Sequence, residues 1–273
     1  MMTFAKRCAK EILRDPINLG FGLGFPLVLL LLLSAIQANI PVSLFEIDTL
    51  TPGITIFGLS FMTLFSATII AKDRGSSLLQ RLYTTPLTPA DFILGYTLPI
   101  LPIAVAQCLF CYVVAIFLGL DVTMCILYAI LFIIPVSILF IALGLLFGSI
   151  LTDKQVGGIC GALLTNLSAW LSGTWFDLEL VGNTFQKIAY ALPFVHAVEL
   201  ERAVLVGDFS QIHQHIFHIH GIQRAQAEEI LIGFVIGVGQ HVLHVAQERT
   251  VCTEVIVDRL VVSDVDHDAV EDH

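Results

Sequence analysis

The sequence predicts an all-α polytopic membrane protein, with an N-terminal interfacial helix, five transmembrane helices and a weak sixth. Three observations carry this. Hydrophobic residues are 56% of the 273 and charged residues 13%, where a soluble domain holds about 45–50% and about 25%. Mean hydropathy is +0.88, more apolar surface than a soluble fold of this length can bury. Uncharged stretches of about 20 residues or more recur along the chain, the length that crosses hydrocarbon about 30 Å thick. Period-two alternation is absent, which excludes a transmembrane barrel.

The first fifteen residues form an amphipathic helix, expected over 3–15. At about 100° per residue, Lys6, Arg7, Lys10 and Arg14 share one face, opposite Phe4, Ala5, Cys8, Ile12 and Leu13. Such a helix lies in the membrane interface, and Asp15-Pro16 then turns the chain inward. The run that follows lacks a small-x-small cleavage site and continues too far for a signal peptide.

Pro16 to Phe45 contains no Asp, Glu, Lys or Arg and supplies a span over about 19–38. Thr49 to Ala71, Phe92 to Leu120, Val122 to Thr152 and Gln155 to Phe176 are likewise uncharged. They supply spans over about 50–71, 92–119, 123–151 and 155–175. Pro26, Pro99, Pro102 and Pro135 fall inside spans, where neighbouring helices satisfy the freed carbonyls. Basic residues flank alternate loops: the N-terminal helix, then Lys72, Arg74 and Arg81, then Lys154. The opposite loops carry Glu46, Asp48 and Asp121. By the positive-inside rule the N-terminus is cytoplasmic and the stretch after the fifth span is external, in a cell (inner or plasma) membrane.

Six cysteines make no disulfide framework. Cys108, Cys111, Cys125 and Cys160 lie in apolar runs and pack as small hydrophobes. A net charge of −10 excludes nucleic acid as a partner. No Ser-His-Asp set, paired carboxylates or HExxH motif is present, so no catalytic residues are assigned and the chain is read as a non-enzyme.

The loop between spans two and three reads as a short amphipathic helix. Gly75 ends the preceding helix, and Ser76 or Ser77 caps a new one. Leu78, Leu79 and Leu82 share a face, and Pro86 stops it. Thr88 then caps span three, with Pro89 at its first position and Asp91 completing the box. Arg74, Gly75, Leu78, Leu79, Arg81, Leu82, Thr84, Thr85 and Pro86 thereby make a lever that a cytoplasmic partner can push.

Arg74-Gly75, Leu78, Arg81-Leu82, Thr84-Thr85-Pro86-Leu87 and Gly95 resemble the coupling-helix segment of type-two permeases of the ATP-binding-cassette (ABC) superfamily. A second match runs from Leu171-Ser-Gly-Thr-Trp-Phe176 through Phe185-Gln186, Pro193, His196-Ala-Val198 and Arg202 to Gly207. It is similar to the family's re-entrant outer segment, here 176–207. Asp73 and Gln80 depart from the family's common Glu, and Asp177 from its frequent Pro. The resemblance covers 1–209. It implies a permease subunit of an ATP-driven exporter, with a separate ATPase subunit and a second permease copy, the same or similar. ATP is then bound by the partner and this chain holds no cofactor. The chain itself lacks a Gly-x-x-x-x-Gly-Lys-Ser/Thr phosphate loop.

Polar residues in the spans are candidates for the pathway: Ser60, Thr63 and Ser66 in span two, Asn166, Ser168 and Ser172 in span five, and Gln107 in span three. Interhelical hydrogen bonding is the alternative role for each. Glu199, Glu201 and Arg202 sit beyond the outer segment, with Glu199 and Arg202 as site candidates. Two further function classes are weaker. A channel or secondary carrier needs ionisable residues mid-span, and the five spans have none. An intramembrane lipid-modifying enzyme needs clustered His, Asp or Glu, absent from 1–209.

The chain changes character near residue 210. Residues 211–273 hold 3 basic and 10 acidic residues and eight of the nine histidines. One reading of 210–273 is a shifted reading frame. The other is a divergent sixth span over about 230–246, with Gly233-x-x-x-Gly237 as its contact face. His213, His215, His218 and His220 are dense in ligand atoms, but the pattern assigns no metal.

Overall fold

The computed structural model describes residues 2–41, 43–76, 78, 88–176, 178–208, 212, 214–226 and 229. Residues 79–87, which hold most of the expected coupling segment, and the expected sixth span and acidic tail therefore lie outside the described residues.

Among the described residues the fold is helical throughout. Helix α1 is Met2–Leu13, α2 Pro16–Gln37, α3 Ile47–Gly75, α4 Pro89–Phe117 and α5 Met124–Ile150. Helix α6 runs in three joined segments: Asp153–Val156, a π-helical stretch Gly157–Leu164, and Thr165–Leu171. A 3₁₀ turn at Leu178–Leu180 leads to α7, Asn183–Tyr190, and α8, Pro193–Val206. A further helix, α9, covers 214–226.

Local chemistry sets the boundaries. Asp15 caps α2 by accepting from the Asn18 amide at 3.3 Å, with Pro16 at the first position. Thr88 and Asp91 form the expected capping box at the start of α4. The Ser76 hydroxyl accepts the Leu78 amide at 3.3 Å, so the chain after α3 begins as a capped turn.

Four helices are long and apolar enough to span a membrane: Pro16–Gln37, Ile47–Gly75, Ala90–Phe117 and Met124–Ile150. The fifth expected span is helical too, but it ends at Leu171 rather than 175. Gly173 there takes the left-handed conformation, φ +71°, which terminates a helix at little cost only in glycine. Within α6 the Thr165 hydroxyl bonds the Cys160 carbonyl five residues back, the reach of a widened π turn.

Helix α3 is the hub. Its apolar window is 83% buried, against 22% for α2, and α2, α4, α5, α6 and α8 all pack on it. It meets α5 closely at Gly144-x-x-x-Gly148. A Cβ on Gly144 would stand 1.9 Å from Ser66 Oγ and 2.3 Å from the Thr63 carbonyl oxygen. Small residues at this spacing let two membrane helices touch backbone to backbone.

Helix α1 docks its apolar stripe, Phe4, Ala5, Cys8 and Ile12, against the first turns of α4. Phe4 stacks on Phe92 at 6.0 Å and meets the edge of Tyr96 at 4.8 Å. Burial lifts the Cys8 thiol to about 12, so it stays a protonated packing group.

Candidate functional site

Two polar clusters sit at opposite ends of the bundle. The first lies at the basic end. Asp73, in the last turn of α3, is only 2% exposed. Arg7 of α1 grips both its carboxylate oxygens, Nη1 to Oδ2 at 2.5 Å and Nη2 to Oδ1 at 2.7 Å. Tyr96 of α4 donates its hydroxyl to the same carboxylate at 2.8 Å. Glu11, one turn on, also pairs with Arg7 at 2.8 Å. Three elements thus meet at one buried charge, a fork geometry that only arginine supplies. The next residue, Arg74, donates to the Gly148 and Leu151 carbonyls at 3.0 and 3.3 Å, satisfying open carbonyls at the end of α5.

Arg74, Gly75 and Leu78 of the coupling segment fall directly after this cluster. Leu79, Arg81, Leu82, Thr84, Thr85 and Pro86 lie outside the described residues.

The second cluster is at the other end. Arg202 of α8 donates to the Thr49 carbonyl at 3.3 Å and to the Gly173 carbonyl at 3.0 Å. It ties α8 to the start of α3 and to the turn closing α6. Ser172, Gly173, Gln186, Tyr190, Glu199 and Arg202 wall a polar cavity of about 350 Å³. The Ser172 and Thr174 hydroxyls bond each other at 2.6 Å, and the Tyr190 hydroxyl bonds Glu199. Ser172, Glu199 and Arg202 are therefore brought together.

The other pathway candidates separate. Ser60, Thr63, Ser66, Gln107 and Ser168 are all fully buried. Thr63 donates to the Phe140 carbonyl at 2.8 Å and Ser66 to the Ile141 carbonyl at 3.1 Å, so both face α5. Ser60 bonds back to Phe57 within its own helix. Asn166 is the exposed one. With Phe21, Phe25, Phe57, Phe61 and Trp170 it lines an aromatic groove of about 530 Å³ between α2, α3 and α6. The groove runs beside the π stretch, a distortion often found at functional sites.

Glu201, on α8 outside the spans, is fully buried. One oxygen accepts the Tyr112 hydroxyl at 3.0 Å, and Oε1 has no partner among the described residues. Desolvation raises its pKa from 4.5 to about 8, so it is a neutral acid at pH 7. The folded state then holds a proton that the unfolded state releases above pH about 4.5. Stability falls as pH rises from there through about 8. Glu201→Gln is expected to flatten that slope, measured as melting temperature between pH 5 and 9. An unchanged slope contradicts the assignment.

The Arg7–Asp73 pairing and the Gly144–Gly148 contact were missed from sequence. The glycine spacing was a readable signal. The ion pair, 66 residues apart, left none.

The ABC-2 type transporter family model matches residues 1–206. No curated protein and no solved structure matches the chain. The match ends at the last residue of α8, so it takes in the buried charge cluster, all the long apolar helices and the polar cavity. The chain belongs to the ABC-2 type transporter family and is a multi-pass membrane permease of that family.

Proposed function

We propose that the chain is the membrane subunit of an ATP-driven exporter, worked by a separate ATPase subunit on its basic, cytoplasmic side. The observation that carries this is the Asp73 junction. It locks α1, α3 and α4 together immediately before the segment 76–87. A push on that segment reaches the interfacial helix and two spans at once, through a bidentate buried contact rather than a flexible loop. The basic face of α1 suits anionic lipid headgroups. No cofactor is assigned to this chain, and ATP would be held by the partner.

The aromatic groove at Asn166 opens on the side of the bundle, and its walls come from α2, α3 and α6. A second permease copy across that groove would close a pathway that one copy leaves open. The polar cavity at Glu199 and Arg202 stands at the external end of such a route.

Replacing Leu82 with Asp is expected to uncouple ATP hydrolysis from transport while leaving membrane insertion intact. By their spacing in the sequence, Leu78, Leu79 and Leu82 would share the apolar face that seats in the ATPase, and a carboxylate there would cost burial on both sides. Reconstituted vesicles give both rates together. Transport at the wild-type rate would refute the coupling role.

A further inference from the structure

We infer that His196, Glu199 and His215 form a binding site for one divalent transition-metal ion of the zinc type, which staples α9 to α8 beside the polar cavity. His196 and Glu199 are three residues apart on α8 and so share a face. His215 reaches them from α9. One ligand atom from each lies within 4.8 Å of the others. His196 Nδ1 and His215 Nδ1 are 3.3 Å apart. Two nitrogens bound to one tetrahedral zinc at about 2.0–2.1 Å stand about 3.3–3.4 Å from each other.

The surrounding bonds prepare the ligands. His196 Nε2 faces the Tyr190 carbonyl oxygen at 3.0 Å. A carbonyl only accepts, so Nε2 carries the proton and Nδ1 offers its lone pair inward. This is how metal-binding imidazoles are held. The hydroxyl of the same Tyr190 orients the Glu199 carboxylate. His218 stacks flat on the His196 ring, centroids 4.5 Å apart and planes parallel, and fixes its plane. Tyr190 and Glu199 also wall the polar cavity, which gives an ion its access.

His215 Nε2 lies 3.6 Å from Glu199 Oε2, which brings the carboxylate to the same point. Three protein ligands leave the ion's fourth position open. His196 and Glu199 lie inside the family match and His215 beyond it.

The test uses the purified full-length protein in detergent, stripped with chelator and titrated with Zn²⁺ by calorimetry and with Co²⁺ by visible absorption. One Zn²⁺ per chain is expected, with the intense bands of four-coordinate Co²⁺ and a rise in melting temperature. His196→Ala and His215→Ala should each weaken binding by about 100-fold, at or beyond the range of an outer-shell loss. His220→Ala should bind as wild type. Should His196→Ala fail to fold, His215→Ala in the last described helix decides. No stoichiometric Zn²⁺ uptake by the wild type overturns the proposal. So does Zn²⁺ binding that survives loss of His215, or a stability that responds to pH alone, the mark of a protonated His215 in place of a metal.

Discussion

Arg7→Ala is expected to abolish coupled transport and to destabilise the protein by about 3 kcal/mol. It leaves Asp73 charged and 2% exposed, with the Tyr96 hydroxyl as its remaining partner of those described above. Breaking a buried pair from one side costs about 3–5 kcal/mol, because a charge is stranded. The lower end applies because the Arg7 side chain is 38% exposed and partly screened. Adding Asp73→Asn to Arg7→Ala removes the stranded charge. Stability should then recover by more than half while transport stays lost, since the link from α1 to α3 is still missing. A double-mutant cycle read by thermal unfolding and by transport separates the two effects. Recovery of both together would mean the junction is only a fold element.

Gly144→Val is expected to leave no correctly packed protein. Even the first carbon of a side chain would stand 1.9 Å from Ser66 Oγ and 2.3 Å from a backbone oxygen of α3. Ordinary overpacking costs about 1–3 kcal/mol because side chains give way. Here the obstacle includes main chain, and α3 would have to separate from α5, its most extensive partner. Gly24 on α2 is the control. Nothing lies within 4 Å of its Cβ position, and alanine there gains about 1 kcal/mol of helix propensity. Detergent-solubilised yield and monodispersity measure both. A monodisperse Gly144→Val protein at wild-type yield would show that the α3–α5 contact is misplaced.

Most of the scaffold was legible in the sequence because its cause is one-dimensional. Span length and the absence of charge follow from the thickness of hydrocarbon, so the first four spans fall within a few residues of their helices. The docked face of α1 and the Thr88–Asp91 box are likewise local patterns, readable at spacings of three and four. Which face of a span turns inward is different. These helices are apolar on every side, so nothing in the spacing of Ser60, Thr63 and Ser66 told a pathway from a helix contact. The structure turns Thr63 and Ser66 to carbonyls of α5 and leaves Asn166 on the groove. The Arg7–Asp73 grip and the meeting of His196, Glu199 and His215 depend on tertiary approach between distant segments. The histidine-rich stretch drew attention to His213, His215, His218 and His220. Of these, His215 faces the two α8 ligands and His218 stacks on one of them, while His213 lies outside the described residues.

The proposed partnership makes this permease one component of an ATP-driven machine with a separate ATPase subunit. The most direct measurement is to tag this chain, purify it from its native membranes in mild detergent, and assay what comes with it. A second protein in fixed ratio that carries a phosphate-binding loop is expected, with ATP hydrolysis in the eluate that falls when the two are separated. A chain that purifies alone, and moves solute in vesicles without ATP, would contradict it.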